Sequence, residues 1–254
     1  MKKKLWLALT VITAILITLL WLRETPGNCY AKGFAIGGSV CHQIPSHSFN
    51  NGDIQFPICA RCTGLYLGSA FGLVYFFSQG KRKGLPKRGF LLILLFLAIT
   101  WAGDGVNSFA GDFLNRPFLY KTTNLVRLAT GIGMGLVMST ALVTLFNVTI
   151  WQGGSPEPVL RHPWQVLLYF AISTLLAILL QVSGPIAFQL LAGITILTVL
   201  VIITLLYTIF WVILARKENK ILKLFDLIPF FLAGFTTALA QVLLMNLLRN
   251  YILG

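Results

Sequence analysis

The sequence predicts an all-α, polytopic membrane bundle of about seven transmembrane helices. Three observations carry that reading. Of 254 residues, 57% are hydrophobic and only 11% charged, where a soluble chain has roughly a quarter charged. The apolar residues fall into runs long enough to cross a hydrocarbon core of about 30 Å, which takes about 20 residues of helix. The basic residues, 20 Lys and Arg against 7 acids, concentrate in short loops between those runs, as in proteins whose membrane orientation is set by charge. A soluble enzyme, a nucleic-acid module and a disordered tail are thereby excluded, and no nucleic-acid partner is expected beside the lipid bilayer.

Taken in order, the expected spans are Leu5–Leu22, Thr63–Gln79, Phe90–Asn107, Leu125–Trp151, Trp164–Val182, Ile186–Leu214 and Phe225–Leu248. The first has a basic start like a signal peptide, but its apolar run is long and no small-x-small site precedes Arg23, so it reads as an uncleaved anchor. Ser183, Gly184 and Pro185 part the fifth and sixth spans and make them an antiparallel hairpin. Lys2, Lys3, Lys4, Lys81, Arg82, Lys83, Lys87, Arg88, Arg161, Arg216, Lys217, Lys220 and Lys223 all fall on one side. By the positive-inside rule that side is the cytoplasm, with the N-terminus inside and the C-terminus outside. The domain reading is an anchor at 1–24, an extracytoplasmic Cys/His loop at 25–62 and a six-helix membrane bundle at 63–254. The setting expected is a prokaryotic cytoplasmic membrane.

The long exterior loop holds Cys29, Cys41 and Cys59, with His42 and His47, and the second span opens on Cys59-Ala60-Arg61-Cys62-Thr63-Gly64. A Cys-x-x-Cys brings two sulfurs within reach of one metal or of each other, and free N–H groups at a helix start favour thiolate. Cys41-His42 adds a third sulfur and an imidazole. Three thiolates and one imidazole are the donors of a tetrahedral zinc site, so Cys41, His42, Cys59 and Cys62 are the candidate ligands and zinc the candidate cofactor. His42 can instead stand behind the ligands as a partner or base. Two other readings of the sulfurs stay open: plain structural disulfides, and a membrane thiol-disulfide oxidoreductase. The latter resembles the quinone-linked disulfide-forming enzymes, with Cys59 and Cys62 as the active pair, Cys29 and Cys41 as the loop pair, and quinone as cofactor. A small-molecule or ion transporter is a third function class, resting on span number and interior polarity.

Polar residues inside spans point to function by default. Asp104 and Asn107 near the exterior end of the third span, and Asn124 and Arg127 at the start of the fourth, are expected to join Arg61 in a polar pocket beneath the cysteines, with Asp104 paired to Arg127. Gln181, Gln189 and Gln241 fall in the exterior halves of the last three spans and extend that pocket or serve as interhelical hydrogen bonds. Gly64, Gly68 and Gly72, with Gly131 and Gly135, make small faces for close helix packing.

The run Cys41-His42-Gln43-Ile44-Pro45-Ser46-His47-Ser48-Phe49, followed by Phe56-Pro57-Ile58-Cys59-Ala60-Arg61-Cys62-Thr63-Gly64-Leu65-Tyr66-Leu67-Gly68, resembles the bacterial and archaeal DUF2085 family of predicted membrane proteins. The likeness continues through Asp104-Gly105 and Asn124-x-x-Arg127-x-x-Thr130-Gly131, covering about 41–135. The resemblance implies a membrane protein with no assigned activity, and it leaves Cys29 and the last three spans outside the shared core.

Overall fold

A computed structural model describes residues 2–25, 27–114, 116, 118–182 and 184–253, with Lys2, Lys3, Lys4 and Leu253 described in backbone alone. The helices are α1 (Lys2–Glu24), α2 (Cys29–Gly38), α3 (Ala60–Ser78), α4 (Arg88–Phe113), α5 (Asn124–Ile150), α6 (Pro163–Val182), α7 (Pro185–Leu214) and α8 (Leu224–Leu253). Two-residue strands β1 (Asn50–Asn51) and β2 (Ile54–Gln55) form a small antiparallel hairpin, and β3 (Arg82–Gly84) pairs in parallel with β4 (Ser155–Pro158). All seven expected spans are helices. Six of them are long and apolar enough to cross a membrane. The exception among the seven is α3, whose Arg61, glycines and hydroxyls dilute its apolar character. It is about 28 Å long at 1.5 Å per residue, and protein rather than lipid covers it: Leu65, Leu67, Leu73 and Phe76 are buried.

The sequence reading missed α2. Its N-cap is Asn28, whose side chain accepts the Ala31 N–H at 3.0 Å and so satisfies one of the free donors of the first turn. At ten residues it is too short to register as a span. The third span was also drawn short, since α4 continues to Phe113 and places Asp104 more than two turns before its end. At the α6–α7 hairpin Ser183 lies outside the described residues, while Gly184 caps α7 and Pro185 occupies its first position, where a missing N–H costs nothing.

The centre of the bundle is a seam between α3 and α5, which run parallel. A Cβ on Gly64 would run into the Leu128 carbonyl oxygen, and one on Gly131 into the Arg61 carbonyl. A Cβ on Gly135 would meet the Leu65 carbonyl oxygen at 2.7 Å. Further along, Gly68 and Gly72 leave room for Tyr169 and Ser139. The packing role expected of these glycines is what the backbones require.

Loops collect at two ends. At the basic end, Lys83 Nζ donates to the Trp151 carbonyl at 2.6 Å and to Asn219 Oδ1 at 2.7 Å, and Asn147 Nδ2 donates to the Arg82 carbonyl at 2.9 Å. This ties together the α3–α4, α5–α6 and α7–α8 connections, the same loops that the charge argument puts on one side. At the opposite end lie the cysteine loop, the α4–α5 connection and the C-terminal part of α8, where Arg249 Nη1 donates to Gln43 Oε1.

Candidate metal centre

Cys59 is the N-cap of α3, and its own N–H donates to Cys41 Sγ at 3.2 Å. Cys62 follows in the first turn, its backbone N–H directed to the Cys59 sulfur. The Sγ atoms of Cys41, Cys59 and Cys62 all lie within 4.8 Å of one another, and Cys41 and Cys59 are buried. His42 Nδ1 is 3.6 Å from Cys41 Sγ, so the imidazole stands at the edge of the three-sulfur set. The fourth cysteine is elsewhere: Cys29 is exposed at the start of α2, outside the three-sulfur group. All four cysteines are free thiols in this structure.

The electrostatics of the cluster are those of sulfurs that share charge. Hydrogen bonds from Cys41 first, then from Cys62 and His42, hold the Cys59 thiol far below its ordinary range despite burial. Contact with Cys41, then Cys59, pushes His42 up to about 10. Contact with Cys41 and Cys59, with burial, pushes the Cys62 thiol up, so the negative charge gathers on Cys59 with a cation beside it.

Behind His42 runs a chain that the sequence did not disclose. His42 Nε2 meets His47 Nδ1 at 3.4 Å, and His47 Nε2 meets Asp112 Oδ1 at 3.3 Å. Burial, followed by the charge of Arg127, lowers the pKa of His47 against the pull of Asp112. Asp112 sits in the last turn of α4, in the segment the expected third span left out. Nothing in spacing links it to a loop histidine 65 positions earlier.

The loop is shaped by Gln43, which has a positive φ of 56° that a non-glycine side chain adopts only when its surroundings hold it there. Its Nε2 donates to the carbonyls of Phe34 at 2.7 Å and Pro57 at 2.6 Å, and its carbonyl accepts from Gln55 Nε2 at 3.0 Å. One buried residue, through its side-chain amide and its backbone carbonyl, thus joins α2, the hairpin and the approach to Cys59. Asn124 Nδ2 donates to the carbonyls of Ser46 and Ser48, fastening the histidine segment to α5.

The expected Asp104–Arg127 pair does not form. Asp104, its side chain fully buried, accepts from Nε and Nη2 of Arg61, from the Tyr120 hydroxyl at 2.8 Å and from Thr130 Oγ1 at 3.4 Å. Arg127 instead bonds Ser108 Oγ at 2.8 Å and Asn124 Oδ1 at 2.9 Å. Two arginines share the depth of Asp104, and it is the Arg61 side chain, from the first turn of α3, that reaches its carboxylate. Asn107 pins the α4–α5 connection through Tyr120, Thr122 and the Leu119 N–H. Gln181 donates to Ala177 on its own helix and Gln241 accepts from Tyr207, so these amides do not join the cysteine cluster.

This arrangement occupies one stretch of the chain, from Cys41 on the loop to Thr130 on α5. Residues 41–141 match DUF2085, a family of predicted membrane proteins. The matched segment contains the three clustered sulfurs, both loop histidines, Asp104, Asp112 and Arg127, while Cys29 and α6–α8 lie outside it. Over 106 residues the chain is 29% identical to an uncharacterized protein of Methanothermobacter thermautotrophicus, covering 41% of this chain and 86% of that one. It is 27% identical over 121 residues to the uncharacterized protein MJ1492 of Methanocaldococcus jannaschii, covering 47% and 71%. No solved structure matches.

Proposed function

We propose that this membrane protein carries a zinc-type centre bound by Cys41, Cys59 and Cys62, with His42 as the fourth donor, on the extracytoplasmic side of a prokaryotic cytoplasmic membrane. The observation that carries the reading is the convergence of three sulfurs from two separate segments within 4.8 Å. Zinc–sulfur bonds of about 2.3 Å in a tetrahedron put sulfurs about 3.8 Å apart, and a zinc-bound nitrogen about 3.6 Å from each sulfur. The His42–Cys41 separation of 3.6 Å fits that edge. Ligating histidines almost always hand their other nitrogen to a partner that orients the ring, and His47 with Asp112 stands where such a partner belongs. A centre with four protein donors leaves no open position, so its role is to clasp the loop onto α3 rather than to activate water. The side assignment rests on the basic loops at the opposite end.

The competing oxidoreductase reading uses the same Cys59 and Cys62 but needs a second pair to pass electrons onward, and Cys29 stands outside the group that holds Cys41. Metal analysis of the purified full chain separates the two. About one zinc per chain is expected, lost in Cys59→Ser and Cys62→Ser and kept in Cys29→Ser, with His42→Ala reporting on the fourth donor. Metal-free protein whose Cys59 and Cys62 thiols are oxidised to a disulfide by a quinone, which leaves as quinol, would overturn the zinc reading.

A further inference from the structure

Beside the three clustered cysteines, two cavities flank α2. One, of about 730 Å³, is the more polar: Glu24 at the end of α1, Asp53 at the hairpin tip, and Asn246, Arg249 and Asn250 near the end of α8 all line it. Tyr30 and Phe34 of α2 form part of its wall, their rings 5.8 Å apart. The other, of about 780 Å³, is largely apolar, formed where Gly33 and Ile36 of α2 face Phe188, Ala192 and Ile196 of α7. Tyr30 and Asp53 line both, so the two meet at a shared rim. Each has a volume typical of small-molecule sites.

The polar cavity carries charge of both signs, and Glu24 has only a loose, exposed pair with Arg23 at 3.7 Å. Arg249 donates only to the neutral amide of Gln43, and Asp53 has no ion pair among the described residues. Asn246 Nδ2 is a buried donor with no hydrogen bond among them. Burying an unpaired donor costs free energy that a ligand oxygen recovers. Two carboxylates with two aromatic rings suit an ammonium, and an arginine with a free amide donor suits a phosphate. The adjoining apolar groove suits hydrocarbon.

We propose that α2 is straddled by one zwitterionic phospholipid of the ethanolamine type. Its ammonium lies toward Glu24 and Asp53, its phosphate toward Arg249 and Asn246, and an acyl chain lies in the groove between α2 and α7. The site is independent of the metal reading, since none of these residues is a candidate ligand.

The test uses the full chain purified in detergent and delipidated, with binding read by native mass spectrometry. The probes are dioleoylphosphatidylethanolamine, dioleoylphosphatidylglycerol with the same chains but no ammonium, and soluble glycerophosphoethanolamine. The ethanolamine lipid is expected to bind about tenfold more tightly than the glycerol lipid, and the soluble headgroup far more weakly than either. The double variant Glu24→Gln with Asp53→Asn changes only exposed positions, so it should fold and lose the preference between the lipids. Gly193 lines the groove with open space around its Cβ position, so Gly193→Phe should block the acyl chain and weaken both lipids. Equal binding of the two lipids, or a preference that survives in the double variant, would overturn the headgroup assignment. Soluble headgroup binding as tight as that of the lipid would overturn the acyl-chain assignment.

Discussion

The Asp104 carboxylate is held by Arg61, through Nε at 3.0 Å and through Nη2, and Arg61 is the residue between Cys59 and Cys62 on its Cys62 side. The Cys-x-x-Cys turn is thereby anchored to α4 by a buried ion pair. Removing either partner strands a charge, so Asp104→Ala and Arg61→Ala should each cost about 3 kcal/mol, and the double variant less than their sum. Asp104→Ala combined with Arg127→Ala should lie much nearer additivity. Thermal melting in detergent of both double-mutant cycles measures this, and coupling to Arg127 as strong as that to Arg61 would contradict the geometry.

The glycine seam gives a sharper contrast. Gly64→Ala and Gly131→Ala push a methyl into backbone carbonyls, which cannot rotate away as side chains do, and should destabilise by about 2 kcal/mol or more. Gly103→Ala and Gly105→Ala on α4 meet nothing within 4 Å and should be neutral, or stabilising by up to about 1 kcal/mol from helix propensity. Equal losses at all four positions would show that α3 and α5 do not approach as described.

Most of the helices were legible because apolar runs of membrane length have few other interpretations. What stayed hidden depended on choices that one dimension does not contain. Depth placed Asp104 level with two arginines, and only the direction of the side chains selects Arg61 over Arg127. The short α2 carries no span-length signal, and its N-cap at Asn28 is visible only once one looks for a ten-residue helix. Cys41, Cys59 and Cys62 could be grouped from spacing and residue type, whereas the link from His42 through His47 to Asp112 needs the extra turns of α4 that its polar composition concealed.

That link makes its own prediction. With the metal site intact, His47→Ala or Asp112→Asn should weaken zinc affinity about 10- to 100-fold, as loss of an orienting partner behind a ligating histidine does. Competition with a chelator of known affinity, on the full chain, reads the change. Unaltered affinity in both variants would remove His42 from the ligand set or His47 from its support.

Orientation can be read from thiol accessibility. Cys29 is exposed and Cys41 and Cys59 are buried, so a membrane-impermeant maleimide on intact cells should label Cys29 at once. The clustered thiols should follow only after chelation and unfolding. Labelling of Cys29 that requires permeabilised cells would place the basic end outside.

The enclosure of Cys41 and Cys59 also has a history in time. They share their hydrophobic surroundings with Phe188, Leu191 and Ala192 of α7, and with Ala238 and Val242 of α8. A ribosome makes those helices long after the last clustered cysteine has emerged, so every newly made chain passes through an interval in which its sulfurs exist without their cover. During that interval they are open to oxidants and to wrong partners. Early capture of a metal ion by Cys41, Cys59 and Cys62 would close it, giving the centre a protective task during biogenesis that ends when α7 and α8 dock.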